Sequence, residues 1–484
     1  MDDPLTPRLE AMAKASGLDA AVIEGFGRWV STADDAEVYR FNPLAWAEAQ
    51  SLDEDKSLDV LLHATKVGIL EMSWGVICPY CGVLITTPGG LRALGPNPHC
   101  RICRVDVASA LDDSVEVVFS VAPIIRELRF NDPRRIDFKR DGGQLFFSPS
   151  LKPTDAFREM AANIRNGAIG EFAIAPGGEA VVESQLTEPG LYAIMAPTVH
   201  AFCHVIPTEG APREFVLDCL DGQFIPDSVL AGFGKVSFRI RNRSDFHLPG
   251  GLGYLGPHDA GAAAESSRAP ESPPKEAPVF QFRPFMTGKR MLTNQTFRDL
   301  FRAETIGPGG LHIKNLAIVF SDLQASTALY ERVGDLRALR LVRDHFDLLH
   351  EVVGRHRGAI VKTIGDAVMA AFGEPERALA AAAGMSRAVG RINADGESLV
   401  LKIGLHAGSC IAIQTNHQID YFGRAVNIAA RAQSVAAGGE IVVTDTIWES
   451  PGIPGLAQDY GLRARADVVK LRGIADNVPV HRLS

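Results

Sequence analysis

The chain has 484 residues, 46% hydrophobic and 22% charged, with a formal net charge of −9. That length allows two to four domains with their own cores, and the acidic balance excludes a general polyanion binder, so no nucleic acid is expected as a partner. No apolar run is long enough to span a bilayer, and "MDDPLTPRLEAMAKASG" lacks both the basic start and the apolar middle of a signal peptide, so no transmembrane segment and a cytoplasmic location are expected.

Residues 1–130 read as a helical region with a zinc ribbon. In residues 1–77 the run "SLDVLLHATKVGILEMSW" puts apolar residues at helical spacing. Cys78-Pro-Tyr-Cys81 and Cys100-Arg-Ile-Cys103 follow, 18 residues apart, which fits a four-thiolate Zn²⁺ site. A redox role for "CPYC" needs its first cysteine at a helix N-terminus, whereas "GVLITTPGGL" after Cys81 reads as strand and turn. Four thiolates leave no open coordination position, so the zinc is expected to be structural.

Residues 131–255 alternate apolar and polar positions between Gly, Pro and Asn, and predict an antiparallel β domain. Within it His200, Cys203 and His204 suit a strand and receive no ligand role. "GLGYLG" (251–256) matches a dinucleotide-binding glycine pattern, but Pro257 rather than a helix follows it. Residues 256–312 read as a flexible tether, richest in Ala, Pro, Ser and Glu over 256–278, and a coupling helix in "LTNQTFRDLFRAE" with Thr293 as its cap.

From residue 313 to 484, strands and helices alternate around the hairpin "AIVKTIGDAVMAAF", which predicts an α/β sandwich on a mixed sheet. The whole is expected to be an α+β multidomain protein. Gly365-Asp366 fits a two-residue turn that presents Asp366 at the open end. Asp322 leaves the strand "LAIVFSD" just before a helix starting near Ser326. Two carboxylates at strand ends beside a helix start suit a Mg²⁺-triphosphate. Lys362 lies four extended residues from Asp366, roughly 13 Å at about 3.3 Å per residue, so it needs a different partner. In "QIDYFGRAVNIAARAQS", Asp420 precedes a turn, while Asn427 and Arg431 share a helix face and can hold a sugar and a phosphate oxygen.

"FSDLQAST", "VKTIGDAVMAAF", "KIGLHAG" and "DYFGRAVNIAARAQS" together resemble the catalytic domain of the class III nucleotidyl cyclases, a ferredoxin-like sandwich, over the last third of the chain. The resemblance implies two Mg²⁺ or Mn²⁺ ions per site on Asp322 and Asp366, assisted by the Leu323 carbonyl. It implies that Lys362 and Asp420 read the purine, that Asn427 orients the ribose and that Arg431 meets charge growing on the α-phosphate. Such a donor and acceptor suit adenine, where guanylyl members typically carry Glu and Cys, so ATP is the expected substrate. A further basic residue for the terminal phosphates is left between Lys470 and Arg472. Sites in this family form across a head-to-tail dimer, which implies a homodimer. The first 255 residues resemble an uncharacterised region preceding some bacterial cyclase domains. The expected function is therefore an adenylyl cyclase controlled by its N-terminal half. A guanylyl cyclase, a catalytically silent nucleotide sensor and a zinc-ribbon nucleic-acid binder are the alternatives.

Overall fold

Two long apolar stretches, "LHIKNLAIVFSDL" and "LKIGLHAGSCIAIQT", decide the architecture of the C-terminal part. They form β1 (Leu311–Leu323) and β4 (Leu401–Thr415), antiparallel partners along most of their length. Nearly continuous burial, rather than strict alternation, follows from having helices on both faces of the sheet. The computed structural model describes residues 3–155, 158, 168–256, 280–392 and 399–484. The tether segment 256–278 lies, apart from Gly256, outside the described residues.

The chain divides into two compact units, one of residues 1–89, 97–108 and 116–286, the other of residues 90–96, 109–115 and 287–484. The first unit opens with four helices, Thr6–Ser16, Ala20–Thr32, Pro43–Ala49 and Glu54–Lys66, of which the last three are capped by the side chains of Asp19, Asn42 and Asp53. Here the expected helical run is corrected. The helix stops at Lys66, Gly68 takes φ 76°, and Leu70–Ile77 is a strand. Apolar residues buried on both sides of that strand mimic helical spacing over a short window.

Residues 168–256 form two facing sheets. One orders Ser228–Ala231, Ala201–Pro207, Leu191–Ala196, Leu248–Gly256 and Ala168–Ile174; the other orders Gln223–Ile225, Glu214–Leu220, Gly234–Asn242 and Glu179–Leu186. Their inward side chains, among them Ile194, Val205, Leu217, Phe238 and Leu252, make one core. The expectation of a purely antiparallel domain needs correction, since Ala201–Pro207 runs parallel to Ser228–Ala231 and Glu214–Leu220 parallel to Gly234–Asn242. Residues 131–150, grouped by sequence with this domain, form 3-10 turns and the helix Phe138–Phe146 instead. "GLGYLG" is part of the strand Leu248–Gly256.

In the second unit, α1 (Gly288–Leu292) and α2 (Gln295–Leu300) precede β1. Asn294, not Thr293, caps α2, accepting from Phe297 N, while the Thr293 hydroxyl closes α1 on the Lys289 carbonyl. Next come α3 (Ser326–Val333), α4 (Asp335–Arg355), β2 (Gly358–Ile364), β3 (Ala367–Phe372) and α5 (Pro375–Val389). After β4 follow β5 (Gln418–Phe422), α6 (Arg424–Ser434), β6 (Ile441–Thr444), α7 (Asp445–Trp448), α8 (Ile453–Asp459), β7 (Ala464–Lys470) and β8 (Asn477–Leu483). The sheet runs β2-β3-β1-β4-β6-β8-β7, and β5 pairs with β4 off this path. Val352 and Val353 of α4 and Leu379 and Ala382 of α5 pack on Val319, Phe372 and Leu405. Helix α6 lies so close to β4 that a Cβ on Gly404 would sit 2.0 Å from Gln433 N. No helix among the described residues is long and apolar enough to cross a membrane.

Candidate active site

The β2–β3 hairpin closes on Gly365 (φ 64°) and Asp366, with Ile364 paired to Ala367, so the turn residues are the expected two. Asp322 lies at the end of β1, the strand beside β3: burial first, and then the charge of Asp366, push the Asp322 carboxyl above the ordinary aspartate range. Lys402, opposite Asp322 in the β1–β4 register, acts in the other direction. Asp366 Oδ2 is buried without a hydrogen-bond partner. Two facing carboxylates, one with an orphaned buried oxygen, make a set of hard oxygen donors suited to divalent cations. The Leu323 side chain belongs to the core, so only its backbone is available to such a site.

The partner expected for Lys362 is present. Its Nζ donates to Asp420 Oδ2 at 2.6 Å, while Asp420 Oδ1 accepts from Tyr421 N. Lys362 leaves β2 beside a bulge: Ile360 pairs with Ala370 but Lys362 with Met369. Asp420 lies on β5, where its neighbours Ile419 and Tyr421 are buried.

Asn427 and Arg431 are exposed on one face of α6. The opposite face holds Gln433, whose Nε2 lies 3.5 Å from Asp322 Oδ2. Asn427 lines a cleft of about 450 Å³ whose other wall is the β7–β8 turn, Gly473 to Asp476. Of the two basic candidates beside that turn, Lys470 donates to the Ala475 carbonyl and Arg472 is exposed. The sequence had singled out neither Gln433 nor Lys402. It also missed Tyr330 on α3 and His345 on α4, both near enough to Asp366 to feel its charge; burial pushes the Tyr330 hydroxyl up and the His345 imidazole down to about 4. None of the four carries a local motif, and only the sheet register and helix docking bring them to the carboxylates.

In the first unit, Cys78, Cys81, Cys100 and Cys103 converge, all four sulfurs lying within 4.8 Å of one another. The Cys78–Cys103 and Cys81–Cys100 sulfurs are 3.8 and 3.7 Å apart. Those spacings are too long for disulfides and match the roughly 3.8 Å edge of a thiolate tetrahedron around a metal about 2.3 Å away. Each knuckle turns through a positive φ just after its second cysteine, 72° at Gly82 and 56° at Arg104. His204, which receives no ligand role, donates from Nε2 to the Ile102 carbonyl and so ties the β domain to the ribbon.

Residues 311–481 match the model of the family described as Adenylate and Guanylate cyclase catalytic domain, and residues 6–217 that of a family of unknown function, DUF5939. Among curated relatives, a receptor-type adenylate cyclase of Trypanosoma brucei brucei is 27% identical over 209 residues, covering 35% of this chain and 17% of its own length. A putative adenylate cyclase of Rhizobium meliloti is 30% identical over 136 residues, 28% of this chain and 22% of its own. The chain thus spans well under half the length of these relatives. A solved structure of Trypanosoma brucei adenylate cyclases in their monomeric state is 25% identical, with a TM-score of 0.31 over 35% of this chain and 89% of that one.

Proposed function

We propose that this chain, whose residues 311–481 are a class III cyclase catalytic domain, is an adenylyl cyclase that converts ATP to 3′,5′-cyclic AMP and pyrophosphate as a homodimer. The observation that carries the choice of ATP is the Lys362–Asp420 pair at 2.6 Å. An ammonium donor beside a carboxylate acceptor complements ring N1 and the exocyclic amine of adenine. Guanine presents a carbonyl and a ring N–H on that edge and would leave both groups mismatched.

Asp322, Asp366 and the Leu323 carbonyl would hold two Mg²⁺ or Mn²⁺ ions, which when bound neutralise triphosphate charge and acidify the ribose 3′-hydroxyl. The chain's own residues supply the rest. Lys362 and Asp420 fix the base, Asn427 holds the ribose so that the 3′-oxygen faces the α-phosphorus in line, and the Arg431 guanidinium accepts charge developing on the α-phosphate. Lys470 or Arg472 attends the terminal phosphates.

The dimer is supported by the geometry of α6. Gln433 faces its own chain's Asp322, and at about 100° per residue Arg431 and Asn427 point roughly 120–160° away from it. They therefore suit the carboxylates of a second copy, with two equivalent sites per dimer. In the first unit the four cysteines hold a structural zinc, and that unit regulates turnover. Incubating purified protein with ATP or GTP and Mn²⁺, and identifying the product, tests the proposal: cyclic AMP is expected, whereas cyclic GTP-derived product alone, or none from either, overturns it.

A further inference from the structure

Both base-reading side chains sit on strands the sheet holds from one side only. Among the described residues β2 is at the edge of the sheet, and β5 lies off the main strand order, hydrogen-bonded along its length to β4. An edge strand leaves a row of unpaired N–H and C=O groups and is free to shift on that side. Yet a lysine and a carboxylate that recognise a base edge must be held to within about 0.5 Å.

Helix α2 supplies the missing constraint on both strands. Gln295 Oε1 accepts from Ile360 N at 2.8 Å, next to the bulge from which Lys362 departs. Arg298 donates from Nη1 to the Ile419 carbonyl at 2.9 Å and from Nη2 to the Tyr421 hydroxyl at 3.0 Å, gripping both neighbours of Asp420. Its Nε donates to the Leu292 carbonyl at 2.9 Å, anchoring the fork to the end of α1, and the guanidinium lies over the Tyr421 ring, 5.3 Å from its centre. A cavity of about 290 Å³ is lined by Gln295 and Arg298 of α2 together with Lys362 and Ile419 of the two strands. Directed hydrogen bonds thus join α2 to both strands.

We infer that Gln295 and Arg298 are positioning residues for base recognition, setting substrate affinity and purine selectivity through the two strands they hold without touching the nucleotide. The inference rests on the reading of Lys362 and Asp420 as the base readers. It also gives the polypeptide leading into the catalytic sheet a direct grip on the recognition pair.

Steady-state kinetics of the full chain with ATP and with GTP, in Mn²⁺, test it on the parent, Arg298→Met, Arg298→Lys and Gln295→Ala. Loss of charge-assisted hydrogen bonds predicts that Arg298→Met raises KM for ATP about tenfold, and lowers the ATP-to-GTP ratio of kcat/KM to a similar degree. The fall in kcat should be smaller, Arg298→Lys should recover part of both losses, and Gln295→Ala should give a weaker version of the same pattern. A merely structural role removes active enzyme, so kcat falls while KM and the selectivity ratio stay at parental values; that result overturns the inference alone. A parent that turns over neither nucleotide overturns the proposed function, and this inference with it.

Discussion

Lys362 and Asp420 are 58 residues apart in the chain and 2.6 Å apart in space, an ammonium on one edge strand closed onto a carboxylate on another. Their chemistry makes purine selectivity a property of two side chains. Exchanging both polarities, with Lys362→Glu and Asp420→Cys together, should move the ATP-to-GTP ratio of kcat/KM toward GTP by about a hundredfold, near the upper end of what one hydrogen bond to a charged group contributes. Competition assays with mixed nucleotides measure it directly.

The carboxylate pair should respond to cations before any turnover. Mn²⁺ should raise the melting temperature of the parent in a concentration-dependent way, by an amount worth about 2.7 kcal/mol at a hundredfold excess over Kd. Asp366→Ala should lose both that shift and at least about a hundredfold of cyclase activity, as removal of a transition-state charge stabiliser does. Differential scanning calorimetry with and without Mn²⁺ separates the two effects.

The cysteine tetrad predicts one zinc per chain by elemental analysis, removed by strong chelators. Cys81→Ser should lower the zinc content and release hydrogen-exchange protection in the knuckles around residues 78–83 and 99–106, because the metal would link the two segments through all four sulfurs. Full protection in zinc-free protein would contradict a structural metal.

His406 supplies a pH dependence. It is 8% exposed on β4, its Nδ1 bonded to the Thr444 and Thr446 hydroxyls, and burial pushes its imidazole down to about 4. A histidine kept neutral in the fold contributes stability that is fully present above its unfolded pKa near 6.5 and is lost as pH falls toward the folded value. Between pH 7 and pH 5 the loss should be about 2 kcal/mol, read as faster hydrogen exchange across Leu401–Thr415. His406→Asn should reduce that dependence and leave the part carried by His345, which burial also pushes down to about 4.

Much of the catalytic sheet was legible because its strands carry their own signals: "IGDAVM" encodes a glycine-led turn, and the i, i+4 spacing of Asn427 and Arg431 encodes one helix face. The Lys362 partner could be demanded in advance, since an ammonium among Ile360, Val361 and Ile364 is costly to leave alone. Gln433, Lys402 and Arg298 were not legible, because each reaches its target through register and docking rather than through spacing along the chain. Leu70–Ile77 misled for a different reason. A strand buried on both sides has no period of 2, and Gly68, the residue that ends the helix before it, is a single position.

The central claim is a site shared between two copies of the chain, and mixing two inactive variants tests it most directly. Asp366→Ala lacks a metal ligand and Arg431→Ala lacks the group expected from the opposite protomer. After the purified variants are mixed in equal amounts and allowed to exchange subunits, half the dimers should be heterodimers, each with one intact site. About a quarter of parental cyclic AMP production should return. No recovery, with heterodimers present by native mass spectrometry, would contradict the account.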